Sequence, residues 1–188
     1  GLIGCGGRGK WNADLFTKHG GYNIIAAADY FEDRVNAVGE KFNIPASKRY
    51  TGLSCYKKML NDRPDAIVIE SPPYFHPEQA AAGVDAGAHV YLAKPIAVDA
   101  PGCNTVADAG KKATSKKLCF LVDFQTRANE LYCEALKRVH NGDIGKLAFG
   151  EAAYHADNPW KGMVDVLAKD PASPEIRLRA WGLDKMLS

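Results

Sequence analysis

The chain has 188 residues and a net charge of +2, with 46% hydrophobic and 24% charged residues. That length holds one full domain and part of a second, and the composition excludes a wholly disordered, collagen-like or coiled-coil chain. No uncharged apolar run reaches the ~18 residues of a membrane-spanning helix, and the scattered Lys and Arg form no nucleic-acid surface.

Taken in chain order, the sequence opens on Gly1-Leu-Ile3, which reads as a strand entered without an initiator Met or a signal-peptide pattern. Residues are therefore expected upstream, and an export segment among them stays open. A helix follows, with Trp11, Leu15 and Phe16 expected on its buried side and Gly20-Gly21 as its end. Residues 24–28 read as a strand. Phe31, Val35, Val38 and Phe42 then recur at helical spacing until Pro45. Residues 66–69, 89–92 and 118–122 are further apolar runs. Between them lie an Ala-rich helix at 77–86, stopped by Gly87, and a helix capped by Asp99 and running to about residue 113. Nearly continuous apolar strands alternating with helices indicate a parallel sheet covered on both faces.

After Asp123 the texture changes. Residues 129–140 read as a helix, 146–154 as strand-like, and 157–188 show little periodicity. The expected division is a first domain over 1–124 and an incomplete second over 125–188. Cys5, Cys55, Cys103, Cys119 and Cys133 form no CxxC pair and no ligand spacing with the five histidines. No metal is expected, and reduced thiols point to the cytoplasm.

Gly4-Cys5-Gly6-Gly7-Arg8-Gly9 fits GxGxxG. The pattern alone is weak in a chain with 18 glycines, but here it follows a strand and opens a helix. Gly4 allows the tight turn, Gly6 lets backbone approach a diphosphate, and Gly9 lets helix and strand pack closely. The helix N-terminus, including Gly7 and Arg8, then faces the phosphates. Asp29 stands 20 residues after Gly9, at the end of the next strand. A carboxylate there accepts hydrogen bonds from the adenosine ribose and repels a 2′-phosphate, favouring NAD over NADP. Arg34 nearby softens that preference.

Ligands of open α/β sheets bind beyond the carboxyl ends of the strands. Ser71, Pro72 and His76, then Lys94, then Gln125 and Arg127 fall there. Lys94 is the candidate to bind a substrate hydroxyl and ease its proton loss. His76 reads either as a turn residue or as a cofactor contact. Gln125 and Arg127 read either as ligand contacts or as braces at the domain junction. His155 and Trp160 read either as a sugar-pocket lining or as ordinary surface.

The ordered set Gly4–Gly9, Asp29, Pro72-Pro-Tyr-Phe-His76 and His89-Val-Tyr-Leu-Ala-Lys94-Pro95 resembles the Gfo/Idh/MocA oxidoreductases, the glucose–fructose oxidoreductase and inositol dehydrogenase group. Phe124-Gln-Thr-Arg127 and Gly142-Asp-Ile-Gly-Lys146 are similar to the family's entry into its second domain. The resemblance implies a Rossmann-type doubly wound parallel sheet, and then the start of an α/β domain with a mostly antiparallel sheet that often mediates homo-oligomers. It implies NAD(H), less so NADP(H), and a sugar, inositol or polyol substrate. By position, Lys94 is the lysine of the family's Glu-Lys-Pro motif. Ala93 replaces the glutamate and so removes a possible partner of that lysine. The family's main acid/base pair would lie past Ser188. Two other readings stay open: an NAD-dependent glycoside hydrolase of the same fold with no net redox, and a non-catalytic NAD(P) sensor.

Overall fold

Short runs, most of them of small and branched apolar residues, pair side by side. In the computed structural model, which describes residues 1–157 and 160–188, these runs form six strands. They are β1 (Leu2–Ile3), β2 (Ala27–Asp29), β3 (Arg49–Thr51), β4 (Ala66–Ile69), β5 (His89–Leu92) and β6 (Phe120–Val122). All pair in parallel, in the order β3-β2-β1-β4-β5-β6. The order reverses between β1 and β4, which is the switch point of a doubly wound sheet.

Side chains alternate across the pleat. Ile3, Ala28, Ile67, Ile69, Val90 and Leu92 face one core with α3 (Cys55–Leu60), α4 (His76–Asp85) and α5 (Ala100–Ser115). Leu2, Ala27 and Val68 face the other core with α1 (Gly7–His19) and α2 (Glu32–Lys41). Asp99 caps α5 by accepting from the Gly102 N–H at 2.7 Å, and Gly87 closes the chain after α4 at φ +87°.

Two elements escape the sequence reading. β3 and α3 carry no long apolar period, and both are made by packing against β2. The strand expected at 24–28 is shorter and later, because pairing begins where Ala27 meets Leu2 and Arg49. The buried face of α1 is only partly the one expected: Phe16 packs against the core. Gly9, Asn12 and Ala13 face inward, while Trp11 and Leu15 are close to half exposed. The close approach of α1 to the sheet admits only small residues there.

The chain divides into two compact units, residues 1–123 with 181–188, and residues 124–180. The last eight residues, placed in the second domain by the sequence division, thus belong with the first unit, where the Tyr74 N–H donates to the Leu187 carbonyl. The second unit holds α6 (Glu130–His140), α7 (Lys161–Leu167) and α8 (Pro174–Arg179). Asn129 and Ser173 accept at the starts of α6 and α8. Its described residues contain no strand, so 146–154 do not form the one expected.

Packing in the first turn of α1 is tight enough to test. A Cβ on Gly9 would lie 1.9 Å from the Gly4 carbonyl oxygen, whereas a Cβ on Gly110, inside α5, meets nothing within 4 Å. Gly9→Ala is expected to cost on the order of 2–4 kcal/mol in urea unfolding. Gly110→Ala is expected to add about 0.5–1 kcal/mol. Equal midpoints for the two variants would contradict this packing.

Candidate functional site

Gly4 ends β1 at φ +90°, a conformation that favours glycine, and its N–H donates to the Ala28 carbonyl at 2.8 Å. A Cβ on Gly4 would lie 2.4 Å from the Glu70 carbonyl carbon, so the turn runs directly against the end of β4. Helix α1 starts at Gly7, with Gly6 as its cap residue and no side chain capping it. The first turn of such a helix presents N–H groups that lack helical acceptors, together with the positive end of the helix dipole. Gly6 has φ −68° and ψ −169°, which any residue adopts. A Cβ there meets only the Arg34 Nη1, at 4.0 Å. Folding therefore does not require glycine at this position, but a close approach of a diphosphate to the backbone does. This cradle fits a dinucleotide.

Asp29 is buried beside the turn. Its carboxylate accepts from the Cys5 N–H at 2.7 Å and from the Phe31 N–H at 3.0 Å. A carboxylate has about four acceptor sites, so two backbone bonds fix its orientation and leave capacity for ribose hydroxyls. Arg34 stacks on Phe31, with its guanidinium carbon 4.9 Å from the ring centre. The Cys5 thiol is buried in this turn, and burial pushes its pKa far up, so it is no nucleophile.

The ends of β4 and β5 form the other side. Ser71 donates its hydroxyl to Gln79 Oε1 at 2.6 Å. His76 is only 1% exposed, with Nδ1 2.8 Å from the Pro95 carbonyl and Nε2 2.7 Å from the Ser71 carbonyl. This burial seats the ring between the β4 loop and the β5 loop, where a neutral imidazole donates to one of the two carbonyls and lies against the other. Burial lowers its pKa and outweighs the two carbonyls, which raise it. The tie holds the Lys94-Pro95 segment in place, with Lys94 exposed at the end of β5.

Beneath α1 lies a polar cluster that the sequence reading missed. Asn12 Nδ2 donates to Glu70 Oε1, and Arg8 Nη2 meets Asp123 Oδ2 at 2.6 Å. Asp123 faces the Tyr91 hydroxyl and helps to hold its proton, and the Arg8 guanidinium stacks on Trp11 at 4.5 Å. Burial pushes the Glu70 carboxyl from 4.5 up to about 7, with Asp123 adding to the rise and Asn12 and Arg8 opposing it. The only sequence signal was an acid closing an otherwise apolar strand, Ala66-Ile-Val-Ile-Glu70.

Thus the structure brings together Gly4, Gly6, Gly7, Arg8, Gly9 and Asp29, and places Ser71, Pro72 and Lys94 at the ends of the neighbouring strands. Gln125, Arg127, His155 and Trp160 belong to the second unit. There Arg127 stacks on Phe124 at 4.8 Å, and His155 is exposed outside any helix or strand. No group of three or more His, Cys, Asp or Glu among the described residues has metal-binding geometry.

Glu70 also makes stability depend on pH. Its folded pKa is raised, so the folded chain binds more protons than the unfolded chain between pH 4.5 and about 7. Stability must therefore fall as pH rises through that window, by on the order of 2 kcal/mol. Glu70→Gln is expected to remove that part of the fall, as read from urea midpoints at pH 5 and pH 8.

A Gfo/Idh/MocA family model, described as an oxidoreductase family with an NAD-binding Rossmann fold, matches residues 1–123. Among curated proteins, a glycosyl hydrolase family 109 protein of Shewanella pealeana is 28% identical over 167 residues, covering 86% of this chain and 36% of its own length. An alpha-N-acetylgalactosaminidase of Shewanella oneidensis is 28% identical over 166 residues, with the same coverage. This chain therefore spans about a third of the length of these relatives. Among solved structures, myo-inositol 2-dehydrogenase from Lactobacillus plantarum superposes with a TM-score of 0.65 at 28% identity, over 77% of this chain and 41% of that one. A Lactobacillus casei scyllo-inositol dehydrogenase, with bound NAD(H) and scyllo-inositol, shares the fold at a TM-score of 0.63 and 23% identity, over the same shares of the two chains. The glycine turn at the switch point, the buried Asp29 and the match over residues 1–123 agree: the chain belongs to the Gfo/Idh/MocA family of oxidoreductases and carries its NAD-binding Rossmann fold.

Proposed function

We propose that this chain is the cofactor-binding part of an NAD(H)-dependent oxidoreductase acting on a CH–OH group of a sugar, inositol or related polyol. The observation that carries the reading is Gly6, a glycine kept where folding does not need one, at a helix start beside a buried acid. The first turn of α1, from Gly6 to Gly9, holds the diphosphate through backbone N–H groups. Asp29, already aimed by two backbone donors, takes the adenosine ribose. Ser71 and Pro72 border the nicotinamide end. Bound there, the nicotinamide supplies the hydride acceptor or donor. The Lys94 ammonium at the end of β5 orients the reacting hydroxyl and stabilises the charge that develops as its proton leaves. His76 positions Lys94 from behind by holding the Pro95 carbonyl. Gln125, Arg127, His155 and Trp160 remain the candidates of the second unit.

A second reading, NAD-dependent glycoside hydrolysis without net redox, is favoured by the names of the 28%-identical curated relatives. Both readings need the same dinucleotide site and the same lysine.

Two measurements test this. In calorimetric titration the chain should bind NAD+ at least tenfold more tightly than NADP+. Gly6→Ala should weaken NAD+ binding at least tenfold while leaving the thermal midpoint within a degree or two, because its Cβ meets no core atom. An absence of NAD+ binding at millimolar concentration would overturn the reading. In turnover assays of the full-length protein, NADH accumulating with inositol or free sugars marks the dehydrogenase. Nitrophenol release from a nitrophenyl N-acetyl-α-galactosaminide, with no net NADH, marks the hydrolase. In either case Lys94→Ala should lower kcat by roughly 100-fold or more.

A further inference from the structure

Glu70 has no part in the roles above, yet it lies beside the first turn of α1. It lies one residue past β4. Ile69 pairs with Leu92, and the Ala93 N–H donates to the Ile69 carbonyl at 3.0 Å, so Glu70 stands across from Ala93. Alternation from Val68 puts its side chain on the α1 face of the sheet. Asn12, which is 3% exposed, holds its carboxyl there. A Cβ on Gly9 would sit 3.5 Å from the Glu70 Cβ, so the acid backs directly onto the turn.

The charged and titratable groups that face Glu70 come from three elements: Arg8 from α1, Tyr91 from β5 and Asp123 from the end of β6. Tyr91 stays neutral, its hydroxyl pushed up to about 12, chiefly by burial. Arg8 and Asp123 neutralise each other as an ion pair. The net charge behind the turn is therefore set by Glu70 alone, zero when protonated and −1 when ionised. A diphosphate seated at the first turn adds two negative charges on the other side of the same backbone. A diphosphate there would also compete with Asp123 for Arg8, and two carboxyls without that cation cannot both ionise cheaply.

We propose that Glu70 is a positioning residue that makes dinucleotide binding proton-linked: the site takes up a proton from solvent onto the Glu70 carboxyl as the diphosphate seats. The inference rests on the cofactor reading above. Linkage is reciprocal, so affinity must fall as pH rises through the range in which the unliganded Glu70 ionises. NAD+ has no group of its own that titrates there, and its diphosphate stays ionised throughout.

The test is titration of the chain with NAD+ from pH 6 to pH 8.5, in buffers of different ionisation enthalpy. Kd should be flat at the acid end and then weaken, approaching tenfold per pH unit above pH ~7. Proton uptake should approach one per NAD+ in that upper range. Glu70→Gln keeps an acceptor for Asn12 and mimics the protonated acid. It should bind with the wild-type affinity of pH 6 at every pH, without proton uptake. Asp123→Asn removes a charge that adds to the effect of burial on Glu70, and should move the onset of weakening to lower pH. This variant keeps the question answerable if Glu70→Gln folds poorly. A flat wild-type profile, or a pH dependence that survives in Glu70→Gln, overturns the inference and leaves the cofactor reading standing. No NAD+ binding at any pH overturns the cofactor reading and this inference together.

Discussion

The near-contact between Gly9 and the Gly4 carbonyl governs the rest of this molecule. It brings α1 so close to the sheet that only Asn12 and Ala13 fit beneath the next turn. It also presses the β1 turn onto the end of β4, and so places the glycine loop at the point where the strand order reverses. Every chemically useful group described here is measured from that point. Asp29 lies on one side of it, with the ends of β4 and β5 on the other.

The two acids that flank the turn differ because their surroundings differ. Asp29 is held by two backbone N–H groups, which suit an ionised carboxylate. Glu70 receives one side-chain amide, lies near a second carboxylate, and is partly buried beside an Arg8 that is engaged by Asp123. Glu70 is therefore the acid that changes charge near neutral pH. The tie made by His76 is a third arrangement, in which a buried ring spans two loop carbonyls and stiffens the segment that carries Lys94.

Much of the first unit was legible in the sequence, for physical reasons. Strands covered on both faces must be continuously apolar, and the runs at 66–69 and 89–92 are. Asp99 and Gly87 mark helix ends through local hydrogen bonding and backbone geometry, which depend on few neighbours. Where reasoning by periodicity failed, a tertiary contact had overridden it. Trp11 and Leu15 carry the apolar spacing of α1 but lie outward, because bulk cannot enter beside Gly9. β3 is a strand because β2 offers it an edge, not because Arg49-Tyr-Thr51 has a pattern of its own.

The site divides along the same line. GxGxxG between a strand and a helix, with an acid 20 residues on, pointed to a dinucleotide turn because each glycine answers a local steric demand, and the ordered set that adds Pro72–His76 and His89–Pro95 carried the family resemblance. The sequence could not show that His76 turns inward, nor that Asn12, Glu70, Arg8, Asp123 and Tyr91 meet beneath α1. Those five residues come from four separate stretches of chain, and only sheet register and helix packing bring their side chains within hydrogen-bonding or Coulombic reach. Local backbone chemistry thus determined which ligand class the turn suits; the burial that sets the charge of its neighbours was decided by the tertiary structure.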